Sequence, residues 1–144
     1  MANFKNKKIA WEKVNYPIIK ECTGNLGVVE YGSQIDFEIK RIFYLSEIPE
    51  NCSRGYHSHK ELKQLILCLA GSFSLVLDSG IDTETILMKP SESAVFVDGR
   101  VWREMRNFSD DAVMLVLCDR EYRFDEVVRS YNQFKQNLEI EDLI

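Results

Sequence analysis

A chain of 144 residues with 45% apolar content has the length of one ordinary domain able to bury its own core, and residues 1–144 read as a single domain. Its 18 basic residues against 23 acidic ones leave a net charge of −5, which speaks against a nonspecific nucleic-acid binder, since that function needs a basic face to neutralise phosphates. No stretch approaches the roughly 20 apolar residues that span a bilayer. The first eight residues also lack the apolar run of a secretion signal, so a cytoplasmic protein with no membrane partner is expected.

From residue 26 onward, short segments rich in Val, Ile, Leu, Phe and Tyr alternate with Gly, Pro, Asn, Asp and Ser. The pattern predicts strands over residues 26–30, 37–45, 55–59, 63–70, 71–77, 83–88, 93–97, 102–107 and 112–119. In the strand over residues 71–77 the alternation Phe73, Leu75, Leu77 marks one buried face, and Asp78, Ser79 and Gly80 supply the turn that ends it. So many short strands imply an all-β jelly-roll barrel, which also limits exposed sheet edges. Only the tail has helical periodicity: Phe124, Val127, Val128, Tyr131 and Phe134 recur at three and four residues, predicting a helix over residues 123–137 on the outside of the barrel. The four cysteines show no CxxC spacing and read as reduced thiols, with Cys68 and Cys118 serving as small core hydrophobes inside LILCLA and MLVLCD.

The segment SRGYHSHKELKQ carries the only two histidines, His57 and His59. Two residues apart on a strand, both rings project from one face and can act on one small ligand. An HxH pair in such a barrel first suggests the metal site of the cupin family, whose remaining ligands are a glutamate five residues on and a later histidine. Here those places hold Gln64, a weak ligand for divalent metals, and Arg103, which cannot ligate a cation at all. Glu61 would substitute only by a register shift. No metal is therefore expected, and two imidazoles on one face are suited instead to moving protons near neutral pH. Arg41, Arg54, Lys60 and Arg103 supply positive charge for an anionic substrate or a developing enolate oxygen. Arg103 stands out among them because it lies in the apolar strand VWREM, where a charge needs a partner.

These residues resemble a family, the nucleotide-sugar 3,4-ketoisomerases that act on dTDP-4-keto-6-deoxy-glucose. The resemblance spans residues 23–134 and is carried by KRIFYL, RGYHSHKEL, QLILCLAGSF, VWREMRNFSDDAVMLVL and REYRFDEVVRSYNQF. It implies a cupin-type jelly roll without metal or other cofactor, a homodimer formed by exchange of N-terminal strands, and a dTDP-sugar bound inside the barrel. It further implies that His57 and His59 are catalytic, that Tyr44 is the active-site tyrosine, and that Arg54 lies on the phosphate side. Arg103 occupies the place where many members have a third histidine, and Thr23 the place in the N-terminal loop where arginine or tyrosine is common. Both departures bear on stereochemistry, and the arginine implies a product of gluco configuration. The 3-keto product would pass to an aminotransferase, yielding a 3-amino-3,6-dideoxy sugar for surface glycans. A cupin-type nucleotide-sugar epimerase and a non-catalytic sugar-binding cupin are the alternatives.

Overall fold

A computed structural model of the chain describes residues 10–142. Twelve strands run in the order β1 (Trp11–Val14), β2 (Ile18–Glu21), β3 (Gly24–Gly27), β4 (Arg41–Leu45), β5 (Arg54–His59), β6 (Gln64–Ala70), β7 (Phe73–Asp78), β8 (Thr83–Met88), β9 (Ala94–Val97), β10 (Trp102–Arg106), β11 (Val113–Cys118) and β12 (Val127–Val128). A 3-10 turn, Phe124–Glu126, precedes β12, and α1 (Tyr131–Asp142) follows it. Two five-stranded antiparallel sheets, ordered β1-β9-β6-β11-β4 and β12-β5-β10-β7-β8, face one another, while β2 and β3 form a separate hairpin. This is the mostly β, jelly-roll-like architecture with a short C-terminal helix that the sequence predicts.

Strand alternation explains the layers. The inner faces of both sheets contribute Ile66, Cys68, Phe73, Leu75, Leu77, Val95, Val97, Met105, Met114 and Val116 to one buried core. The first sheet is covered on its outer face too, where Ile35 and Phe37 pack on Leu65, Leu67, Phe96 and Leu117. Burial on both faces is why β6 reads as an unbroken apolar run rather than an alternating one. On the second sheet Trp102, Val128 and Phe134 cluster on the outside and dock α1.

Several boundaries depart from the sequence reading, the first being the strand expected over residues 26–30, which ends at Gly27 as β3. Residues 37–40 are not strand: Phe37 is instead part of a covering loop, and β4 starts only at Arg41. β1 and β2 lie ahead of the first predicted strand, in segments whose apolar residues are too few to show a period. The predicted helix over residues 123–137 is three elements, because Val127 and Val128 extend the sheet by pairing with His59 and Ser58 before the helix begins at Tyr131.

Candidate active site

The site is built on β5, and its geometry follows from an irregularity in the motif RGYHSH. Gly55 and Tyr56 both take left-handed backbone angles, with φ of 90° and 59°. Across the ladder to β10, Arg103 faces His57, the next residue Glu104 faces Gly55, and Met105 faces Arg54, so Tyr56 is the extra, unpaired residue of a β-bulge. Residues directly opposite share a face of the sheet. Arg54 therefore shares the inner face of Met105 and Arg103 with His57 and His59, although simple alternation from His57 would send it outward. Only glycine fits at position 55, because a Cβ there would approach the Arg103 carbonyl oxygen to 2.8 Å.

The histidine rings meet edge to face with centroids 4.8 Å apart. His59 is 7% exposed. Nδ1 of His57 and both ring nitrogens of His59 are buried without any hydrogen-bond partner. Buried polar atoms are normally paired, so three orphaned imidazole nitrogens side by side mark a place prepared for something else to bond. Burial first, and then the Arg103 charge, push His57 down from 6.5 to about 4. Burial, Arg103, His57 and Arg41 push His59 down to about 2. Both rings are thus neutral near pH 7, with a basic nitrogen available and a positive field around them.

The two positions that in a metal cupin would complete the ligand set bond to each other. Arg103 is 1% exposed, and its Nη1 donates to Gln64 Oε1 at 2.6 Å. Its Nε donates to the Val101 carbonyl and its Nη2 to the carbonyls of Asp98, Gly99 and Val101, at distances of 2.9 to 3.2 Å. Glu61 lies past the end of β5 and pairs with Arg120 at 3.0 Å. Among the described residues no group of three or more His, Cys, Asp or Glu side chains is arranged to hold a metal ion.

Other predicted residues divide clearly. Arg41 is brought to the site: it lowers the pKa of His59, donates to Cys118 Sγ at 3.6 Å, and stacks between the rings of Phe43 and Tyr122. Gln64 also donates to Cys118 Sγ, at 3.5 Å. Tyr44 is not brought in. It faces Leu115 across the ladder, on the opposite side of β4 from Arg41 and Phe43, and is 67% exposed. Lys60 is exposed just beyond β5, where its backbone N–H donates to the Glu126 carbonyl. Thr23 sits in the exposed turn of the β2–β3 hairpin.

The roles of two residues, Cys118 and Arg129, escaped the sequence reading. Cys118 looked like packing alone, yet its sulfur joins Arg41 to Gln64, a relation set by cross-strand register that no local pattern reveals. Arg129 was hidden inside a segment read as helix, and its charge is felt by both histidines. A strand ending at Val128 would have exposed it.

Comparison with known proteins gives consistent matches. The family model described as WxcM-like, C-terminal (FdtA) matches residues 9–139. The TDP-4-oxo-6-deoxy-alpha-D-glucose-3,4-oxoisomerase of Aneurinibacillus thermoaerophilus is 35% identical over 123 residues, covering 85% of this chain and 88% of that protein. A 3,4-ketoisomerase from Helicobacter canadensis superposes with a TM-score of 0.85 at 34% identity, over 90% of this chain and 97% of that one. A histidine-to-asparagine variant of the Thermoanaerobacterium thermosaccharolyticum 3,4-ketoisomerase QdtA, in complex with TDP-4-keto-6-deoxyglucose, gives a TM-score of 0.88 at 28% identity, over 94% of this chain and 98% of that one.

Proposed function

Since the chain belongs to the WxcM-like, C-terminal family and is, like these relatives, an isomerase, we propose that it converts dTDP-4-keto-6-deoxy-D-glucose into a dTDP-3-keto-6-deoxy-hexose. The observation that carries this reading is the set of buried, unpartnered imidazole nitrogens on His57 and His59 beneath a fixed arginine charge. Moving a ketone from carbon 4 to carbon 3 needs a group that takes one carbon-bound proton and returns another. One neutral imidazole removes the proton on carbon 3, and the electron pair left behind flows toward the carbon 4 carbonyl oxygen, giving an enediolate. The proton on the carbon 3 hydroxyl passes to the carbon 4 oxygen, the imidazolium returns its proton to carbon 4, and the ketone stands at carbon 3. Oxidation at one carbon balances reduction at the next, so the step consumes no external oxidant or reductant.

The surrounding charge suits that intermediate. Arg103 and Arg41 hold the imidazoles in their basic form and at the same time favour the enediolate anion. Arg103 does not deliver protons itself, because its guanidinium is held on Gln64 and three backbone carbonyls. Carbon 4 is accordingly reprotonated from the histidine side, giving the gluco product. Arg54, on the inner face next to the bulge, is assigned to the phosphate side of the substrate. Thr23 reaches the sugar only if the hairpin of one chain enters the site of another, which is the dimer arrangement proposed for the working enzyme. The 3-keto product is suited to an aminotransferase that places an amine on carbon 3.

The test is incubation of the purified protein with dTDP-4-keto-6-deoxyglucose in deuterated water, with NMR location of the carbonyl. The expected result is a ketone at carbon 3 and one deuterium at carbon 4. An unchanged substrate without exchange, or exchange with the ketone still at carbon 4, would refute the proposal.

A further inference from the structure

Cys118 is the last residue of β11, and the ladders on its two sides set Arg41 of β4 and Gln64 of β6 opposite it, with Val97 of β9 opposite Gln64 in turn. Residues directly opposite share a face, and Cys118 and Val97 belong to the core between the two sheets. Arg41 and Gln64 therefore turn into the barrel in one row across four strands. Hydrogen bonds fix the order of that row. A guanidinium carries donors only, so the Gln64 atom that meets Arg103 Nη1 at 2.6 Å is Oε1, and the amide Nε2 is left to donate to Cys118 Sγ at 3.5 Å. The same sulfur accepts from Arg41 Nη2 at 3.6 Å. The row thus joins two cations that the histidines feel from opposite sheets. Arg103 acts on both rings, Arg41 on His59, and Arg129, after β12, on both, while the carboxylate that acts on Arg103 is that of Asp98. Arg103 is held by the Gln64 amide and three backbone carbonyls, and Arg41 by the sulfur and the rings of Phe43 and Tyr122. A carboxylate in the place of Gln64 would grip Arg103 as firmly and cancel its charge.

We infer that Gln64 and Cys118 are positioning residues of the site: through an amide and a sulfur they tie Arg41 to Arg103, so that both cations are fixed in place and keep their full field on His57 and His59. Gln64 is then the support beneath the reacting groups and not a contact of the substrate. The inference rests on the proton-transfer reading above, and it gives the buried Cys118 a part in the reaction that packing alone does not require.

The chain has two histidines, so NMR titration of the imidazole Cε1–H signals of the full-length protein reads the field on each ring without any turnover. In Q64E, titrated with a chelator present, the carboxylate beside Arg103 should raise the His57 midpoint by at least about one pH unit over the wild type, since a negative charge favours the protonated ring. In turnover assays C118A, which removes the acceptor shared by Arg41 and Gln64, should lower kcat for the keto sugar about tenfold with KM within about twofold, the mark of a contact that matters where charge develops. C118S keeps an acceptor at that place and should recover most of the loss. A His57 midpoint unchanged in Q64E would overturn the assignment. So would a C118A variant with the kcat of the wild type, or a C118S variant as slow as C118A, which marks a packing defect. A wild type that isomerises no keto sugar while the Q64E midpoint still rises would refute the proton-transfer reading and leave the hold of the row on the imidazoles supported.

Discussion

At the scale of single residues, the two histidines differ from ordinary ones in a way that sets the pH behaviour of the protein. In an unfolded chain both titrate near 6.5, whereas folding lowers His57 to about 4 and His59 to about 2. As pH falls below 6.5 the unfolded chain therefore takes up protons that the folded protein refuses. Stability contributed by the neutral rings is present above 6.5 and is lost progressively as pH falls, down to about pH 4 for His57 and about pH 2 for His59. For catalysis the same shift means that kcat/KM, which reports the free enzyme, stays level from pH 8 to below 6 instead of breaking at the usual histidine value. A pH profile with its acid limb centred at 6.5 would contradict the buried, arginine-flanked geometry. His57→Asn and His59→Asn should each lower kcat by about 100-fold or more, the usual range for a lost acid or base, and TDP titration should show that the nucleotide still binds. Spacing alone was enough to put these two rings on one face, because both lie after the bulge. It was not enough for Tyr44, since KRIFYL alternates without saying whether Phe43 or Tyr44 turns inward; that parity is set by pairing with β11.

At the scale of elements, β5 is where local chemistry and site geometry are tied together. The bulge at Gly55 and Tyr56 corrects the parity of Arg54, and its only mark in the sequence is one glycine, so the shared face of Arg54 and the histidines was not legible there. Gly55→Ala places a methyl group 2.8 Å from the Arg103 carbonyl oxygen at a backbone angle that alanine resists. The ladder between β5 and β10 must give way, moving His57 relative to Arg103. The expected cost is about 1 to 3 kcal/mol of stability, read as a lowered urea midpoint with unchanged slope, together with a fall in kcat. A variant as stable and as active as the wild type would show that the bulge is not needed. β12 makes the complementary point. Two valines at helical spacing from Phe124 and Tyr131 supported a helix, but the edge of β5 offered unpaired backbone groups and tertiary pairing overrode the local pattern.

At the scale of the whole molecule, the strands that build the two sheets were legible because their apolar periods are strong, and the N-terminal segment was not because it has little apolar content of its own. That segment forms the β2–β3 hairpin, which among the described residues pairs with no other strand and in which every residue except Ile18 is exposed. Ile19 and Leu26 are 46% and 59% exposed. An isolated two-stranded hairpin is marginal in water, so this one gains stability only by finding a partner. A groove lined by Tyr16, Ile18, Val29, Ile42 and Leu115 runs beside it along the outer face of the first sheet, and the exposed Tyr44 lies on that same face. Both features fit a homodimer in which N-terminal strands are exchanged and the turn at Thr23 meets the neighbouring molecule. Light scattering at micromolar concentration should accordingly give twice the 16.8 kDa of one chain. Replacing the hairpin by a short glycine linker should give a folded monomer with much reduced turnover, since each site would lose the loop supplied by the other chain. A monomeric wild type, or a hairpin-less protein that stays dimeric and fully active, would remove the reason for the exposed hairpin and place the sugar-binding loop elsewhere.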